Sequence, residues 1–449
     1  MKLLATPPSF SKLIQELTKS PDKVRALMSA NEGIREGSYD HWDKVRFRPP
    51  IPTLTAQETW AAMKFKRMGG RRNLPLRAKN GDDLYYTQIA EFQRALHEID
   101  SNARGLIGMP GAAANSENRD VYLQKSLLEE PFSSSVLEGA ATTREMARKM
   151  IDEGRQPKTV DERMVLNNYQ AMGFIREHRD EILTPARILE LHRILTVDTL
   201  ERPEKVGVLR AAEDDVRVVE SITGETFHMP PPAGQLVKRL QELCDFANAP
   251  STGKDGFLHP VIRAVVLHFM LAYDHPFWDG NGRCARALFY WCVLRHGYWL
   301  LEYVSISAVI RRAATKYGMA FLYCESDDGD LTYFIDHQLK VIETSLEDLQ
   351  KYLVAKSEEL SDLAKALGKL DSVLNRRQLA IIQIALKRPT ARFTIAEQEQ
   401  THSVSYLTAR ADLESLVRLD LLKKTKDGVK SVFLVPAGLK ERLKRYAKP

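Results

Sequence analysis

Apolar residues crowd the middle of the chain densely enough to predict a buried helix followed by a second core helix. Residues 260–273 begin with Pro260, suited to a first helical turn, and are apolar almost throughout. A second helix follows a glycine-containing turn and runs to His296-Gly297. Amphipathic helices are expected through residues 331–370, and three further helices over 376–387, 394–400 and 403–419. A basic hairpin over 422–434 should follow them, since Asp427-Gly428 between strand formers is a strong turn signal. Near the N-terminus short helical patterns run through residues 10–27, and Gly105 to Asn115 reads as a linker. The valine-rich stretch 214–229, with Gly224 as its turn and Pro230-Pro231-Pro232 as its stop, predicts an isolated β-hairpin carrying Val216, Arg217, Val218 and Val219. At 131–143, serines followed by Glu138 and Gly139 predict a helix cap and a helix stop. The fold class is therefore mainly α, in three parts: residues 1–115, 116–365 and 370–449.

Composition changes this picture little. The chain has 449 residues, 44% hydrophobic and 28% charged, with a net charge of +6, as expected of a globular protein of about two to four domains. The longest apolar run is broken by Arg295, His296 and Gly297, which predicts a core helix and no membrane span. Cys244, Cys284, Cys292 and Cys324 lack metal-ligand spacing, and with no secretory signal apparent they predict reduced thiols in a cytoplasm.

Chemistry concentrates in residues 275–286, His-Pro-Phe-Trp-Asp-Gly-Asn-Gly-Arg-Cys-Ala-Arg. Gly280 and Gly282 let the backbone approach an anion, and the amides opening the next helix are unpaired donors at its positive end. Arg283 and Arg286, three apart, share a helix face and can fork onto neighbouring phosphate oxygens. Asp279 is a hard oxygen ligand for Mg2+ bridging those phosphates. His275 suits proton abstraction near neutrality, and as the residue before Pro276 it is expected to have an extended backbone. Asp274, beside it, is expected to face solvent.

This segment resembles the signature of the Fic family, His-Pro-Phe-x-(Asp or Glu)-Gly-Asn-Gly-Arg-x-x-Arg, at every defined position. The resemblance implies a helical Fic core that transfers AMP from ATP, with Mg2+, to a hydroxyl side chain of a target protein. His275 would be the general base, Phe277 would hold the loop in the core, and Asp279 would bind the metal. Asn281, with the Gly280 and Gly282 backbone, would form the anion hole, and Arg283 and Arg286 would hold the outer phosphates, Arg286 the γ-phosphate. Kinase-like relatives carry lysine in place of Gly282 and phosphocholine-transferring ones alanine in place of Gly280, so both positions favour AMP transfer. Ser134-x-x-x-Glu138-Gly139 resembles the family's inhibitory motif, in which the glutamate pairs with the arginine matching Arg286. The 214–229 hairpin corresponds to the flap that holds the target segment by strand addition. Residues 39–50, with Trp60 and the basic 64–67 run, resemble an N-terminal region of longer bacterial members and are expected to dock on the core. Relatives also dimerise and modify themselves.

Three helices followed by a basic hairpin resemble a winged helix-turn-helix module. Its third helix would offer Ser405, Tyr406, Thr408 and Arg410 to a DNA groove, with Lys440, Arg442, Lys444 and Arg445 suited to phosphate contacts. The alternatives are removal of AMP through the same glutamate, a phosphotransferase using another nucleotide, and a DNA-binding regulator with an inert Fic core.

Overall fold

The structure is a computed structural model that describes residues 4–29, 39–104, 126–219, 224–253, 256–370, 373–388, 390–427 and 430–447. The expected linker, Gly105 to Asn115, lies outside these residues. Two compact units are present, the first reaching Leu349 and the second beginning at Gln350.

In the first unit, helices α1 (Phe10–Leu17), α2 (Pro21–Ser29), α3 (Trp42–Val45) and α4 (Ala56–Met68) lead into a hairpin of β1 (Arg71–Arg77) and β2 (Asp83–Thr87), then α5 (Ala90–Ala103). The hairpin was not expected from the sequence. Asn80-Gly81 signals its turn, but Pro75 sits inside β1, where the pairing register shifts between Asn73 and Arg77. This region docks on the core as expected: Lys64 Nζ donates to Asp327 at 2.8 Å and Tyr39 to Asp330 at 2.5 Å.

The core follows as α6 (Glu129–Leu137), α7 (Arg144–Glu153), α8 (Val160–Glu177) and α9 (Pro185–Thr196), then a hairpin of β3 (Val218–Val219) and β4 (Thr226–His228). It continues with α10 (Leu236–Asn248), α11 (Pro260–Asp274), α12 (Asn281–Arg295), α13 (Ile306–Arg312) and α14 (Ala314–Ser326). As the apolar pattern predicts, α11 is buried at every position except Ala272, and α12 at every position except Gly282 and Arg295. Around this pair α9 is opened by Thr184, whose side chain accepts from the Arg187 N–H, with Pro185 in its first turn.

Three local expectations change. The serines at 133–135 lie within α6, and Ser135 Oγ donates back to Pro131 O at 2.8 Å, so they do not cap a helix start. The stop is as expected: α6 ends at Leu137, and Gly139 has φ +101°. The flap is shorter than expected, because Val216 and Arg217 precede β3 and Arg217 is paired to Asp215. Where several amphipathic helices were expected, one helix, α15 (Thr332–Leu370), is present; no proline interrupts it.

The second unit contains α16 (Arg376–Lys387), β5 (Arg392–Thr394), α17 (Ile395–His402), α18 (Tyr406–Arg418), β6 (Lys423–Asp427), β7 (Lys430–Leu434) and α19 (Leu439–Ala447). The strands form one sheet ordered β5-β7-β6. Ile381, Leu413, Leu416 and Phe433 fill its core. The order of elements is the expected one, with β5 and α19 added; the tip of the β6-β7 turn, Gly428 and Val429, is outside the described residues.

Candidate active site

The turn between α11 and α12 is built on the end of one buried helix and the start of another. His275 closes α11 with φ 45° and ψ 55°, which corrects the extended backbone expected of a residue before proline. Helix closure outweighs that local preference: the His275 N–H donates to Leu271 O at 3.0 Å, and its ring Nδ1 lies 2.9 Å from Ala272 O. A carbonyl only accepts, so Nδ1 carries the proton and Nε2 keeps its lone pair. Burial pushes the His275 pKa below its ordinary 6.5, against the pull of Ala272 O, so the ring is predominantly neutral at pH 7.

Asp274 does not face solvent. It is buried, and Arg239 Nη2 and Nε approach its Oδ1 at 2.6 and 2.9 Å. Burial raises its carboxyl above the usual range while Arg239 opposes the rise. Arg239 comes from α10, so no short-range pattern could reveal the partner. Asp274→Ala is expected to leave Arg239 buried without its counter-charge and to destabilise the fold by about 3–5 kcal/mol, read from urea unfolding.

Asn281 holds the loop from within. Its Oδ1 accepts from the Phe277 N–H and its Nδ2 donates to Phe277 O, both at 2.9 Å. The side chain therefore staples the loop at Phe277. Gly280 has φ +80°, and a Cβ there would lie 2.7 Å from Thr196 Cγ2. Arg283 is buried; its Nη1 donates to Leu195 O at 3.1 Å, and Nη2 to Asp279 Oδ2 at 3.3 Å.

Arg286 sits as the sequence motif implied. Its Nε and Nη2 reach Ser134 Oγ at 3.0 and 2.9 Å, and Nη2 donates to Glu138 Oε1 at 2.8 Å. Burial would raise the Glu138 carboxyl, but Arg286 and Arg283 outweigh it and hold the pKa below 4.5. A Cβ on Gly282 would lie 2.3 Å from Glu138 Oε1, so the carboxylate occupies the opening of α12, where an anion would bind. Glu130 anchors α6, the helix that Glu138 follows, from its other end, accepting from Ser305 Oγ at 2.7 Å and from the Ser307 N–H and Oγ at 3.0 and 2.6 Å.

Glu138, Gly282, Arg286 and His275 share one cavity of about 490 Å³. Val218, Val219 and Phe227 of the flap close one side, and Tyr317, Phe321 and Leu322 of α14 form an apolar wall. Asp279 is half exposed at the turn. No cluster of three His, Cys, Asp or Glu suited to a metal exists among the described residues. One carboxylate beside an anion site nevertheless fits Mg2+, which is commonly held by one or two carboxylates together with substrate phosphates. Cys284 is fully buried and burial raises its thiol pKa, in keeping with its having no catalytic part.

Sequence reasoning missed His192 and Arg210. His192, on α9, stacks on Phe277 with ring centroids 3.7 Å apart. Arg210 donates through Nε to His275 O at 2.7 Å and through Nη2 to Pro231 O at 2.5 Å. Both act on the loop from sequence distances of tens of residues, so only the fold brings them to it.

Of the residues expected to face DNA, Ser405 Oγ and Thr408 Oγ1 lie 2.9 Å apart in the helix cap, and Arg410 is paired to Glu414. Tyr406 and Leu407 stand exposed. Lys440 pairs with Glu359 and Arg442 with Asp420; the side chains of Lys444 and Arg445 are outside those described.

Residues 182–293 match the Fic/DOC family model. A protein adenylyltransferase Fic of Nematostella vectensis is 23% identical over 57% of this chain and 55% of its own length. That of Drosophila erecta is 30% identical over 46% of this chain and 39% of its own. The match thus spans about half or less of these relatives. A solved Fic family protein from Desulfovibrio desulfuricans G20 superposes with a TM-score of 0.52 at 18% identity, covering 78% of this chain and 98% of that one, which shows a shared fold.

Proposed function

We propose, from the premise that residues 182–293 form a domain of the Fic/DOC family, that this protein transfers AMP from ATP to a hydroxyl side chain of a protein and is restrained by Glu138. The observation that carries the reading is the convergence of an unprotonated histidine nitrogen, a buried arginine and a helix N-terminus on one cavity. His275 Nε2 takes the proton of the target hydroxyl, whose oxygen bonds to the α-phosphorus as the bond to pyrophosphate breaks. Arg286, freed from Glu138, holds the γ-phosphate, and the α12 amides at Gly282 bind phosphate oxygens. Arg283 supports Asp279. Asp279 would hold Mg2+, which would supply positive charge to stabilise the pyrophosphate leaving group. The target lies along the flap, where an extended segment adds beside Val218 and Val219 through backbone hydrogen bonds. The chain itself is among the substrates in this reading, and buried free thiols at all four cysteines favour a reducing, cytoplasmic setting.

The test is incubation with Mg2+ and ATP labelled at the α- or the γ-phosphate, with the protein alone and with a lysate. Label from the α position alone is expected on protein. Label from the γ position would replace AMP transfer with phosphoryl transfer. A second reading, removal of AMP, draws on Glu138 sharing the cavity with His275, where it would orient a water.

A further inference from the structure

We propose that His192 is a positioning residue which fixes the Asp279 peptide and thereby aims the Asp279 carboxylate at the cation accompanying the nucleotide. The metal role of Asp279 rests on the function proposed above. The geometry does not.

The ring is fully buried on α9 and held at both nitrogens. The Gly207 N–H donates to Nδ1 at 3.0 Å, and a backbone N–H can only donate, so Nδ1 carries the lone pair. The proton is then on Nε2, which lies 2.9 Å from Asp279 O, a group that can only accept. Both ends require the same tautomer.

Around this bond the loop runs flush against α9. The imidazole lies parallel to the Phe277 ring, with 4° between their planes. A Cβ on Gly280 would come within 3.4 Å of His192 Nε2 as well as 2.7 Å of Thr196 Cγ2, and Arg283 Nη1 ties the next turn to Leu195 O. Asn281 clamps the loop internally at Phe277, so His192 supplies the outside clamp at Asp279. Among the described residues, the Asp279 carboxylate, about half exposed, has the 3.3 Å contact with Arg283 to orient it. With the side chain this loosely held, the direction of the carboxylate follows the peptide to which His192 is bonded.

Two isosteres separate the contacts. His192→Asn keeps an acceptor where Nδ1 stands and loses the donor to Asp279; His192→Gln keeps a donor where Nε2 stands. In the full chain carrying Glu138→Gly, calorimetry would follow ATP binding as Mg2+ is varied, with thermal melting to establish that each variant is folded. His192→Asn is expected to raise the Mg2+ concentration for half-saturation on the order of 10-fold, and His192→Gln to bring it back to within about threefold of the parent. An unchanged Mg2+ requirement in folded His192→Asn would overturn the proposal. Nitrogen-15 NMR of the imidazoles in the unsubstituted chain gives a second arm that needs no variant to fold: an Nε2–H tautomer at His192 supports the inference and an Nδ1–H tautomer overturns it. Absence of AMP transfer would remove the proposed activity while leaving both arms readable.

Discussion

Glu138→Gly is expected to raise transfer of label from α-labelled ATP by about 10- to 100-fold over the unsubstituted protein at the same ATP and Mg2+. In the function proposed above the carboxylate would oppose the nucleotide twice, since it occupies Arg286 at 2.8 Å and fills the space above Gly282. A hydrogen bond between charged groups contributes about 1.5–3 kcal/mol, which corresponds to roughly 10- to 150-fold in an equilibrium. Ser134 keeps Arg286 in place after Glu138 is removed, so the arginine should be ready for phosphate. Acid is not the release signal at ordinary pH. Since the folded carboxyl has a lowered pKa, its ion pair is fully formed above 4.5 and is lost only as pH falls through that lower value. Equal labelling by the two proteins would remove Glu138 from the role of inhibitor, and loss of an AMP-removing activity in Glu138→Gly would favour the second reading.

His275→Ala in the Glu138→Gly protein is expected to reduce transfer by about 10²- to 10⁴-fold, the usual contribution of a positioned general base. ATP binding measured separately should change little, because the ring takes no part in the phosphate contacts at Arg286 and the α12 amides. In the parent, burial places the His275 pKa below 6.5, so the acid limb of kcat/KM should lie below that pH and the rate should be level through neutrality. Substantial transfer by His275→Ala would assign the base elsewhere. An acid limb above pH 7 would show that the imidazole is not held neutral in the free enzyme.

The chemistry of the site was legible because it is written locally. His275, Asp279, the two glycines and Arg286 fall within one turn and the helix after it, and the resemblance of Ser134-x-x-x-Glu138-Gly139 to the Fic inhibitory motif implied the pairing of Glu138 with Arg286, present at 2.8 Å. The buried helix α11 announced itself by its nearly continuous apolar sequence, and α12 by the apolar run from Ala287 to Leu294. What was not legible depends on partners far along the chain. Asp274 reads as a surface carboxylate until Arg239 arrives from α10, and His275 reads as extended until the end of α11 imposes closure. Asn281 has the composition of an anion ligand, and its double bond to the Phe277 backbone, one hydrogen bond from each end of the amide, was not legible in the motif. The β1-β2 hairpin was hidden by Pro75, whose penalty in a regular strand is relieved by a register shift in a two-stranded ribbon.

Glu130 gives the restraint at Arg286 a property that a separate inhibitory chain would lack. Three hydrogen bonds to Ser305 and Ser307 keep the start of α6 docked, with Glu138 at its other end. Under the proposed restraint the glutamate would be a tethered competitor with a high effective concentration at the phosphate site. Its occupancy is unaffected by dilution of the protein, so the restrained fraction should be the same in a nanomolar as in a micromolar solution, and a cell would have to act on the tether, the glutamate or the nucleotide level to change it.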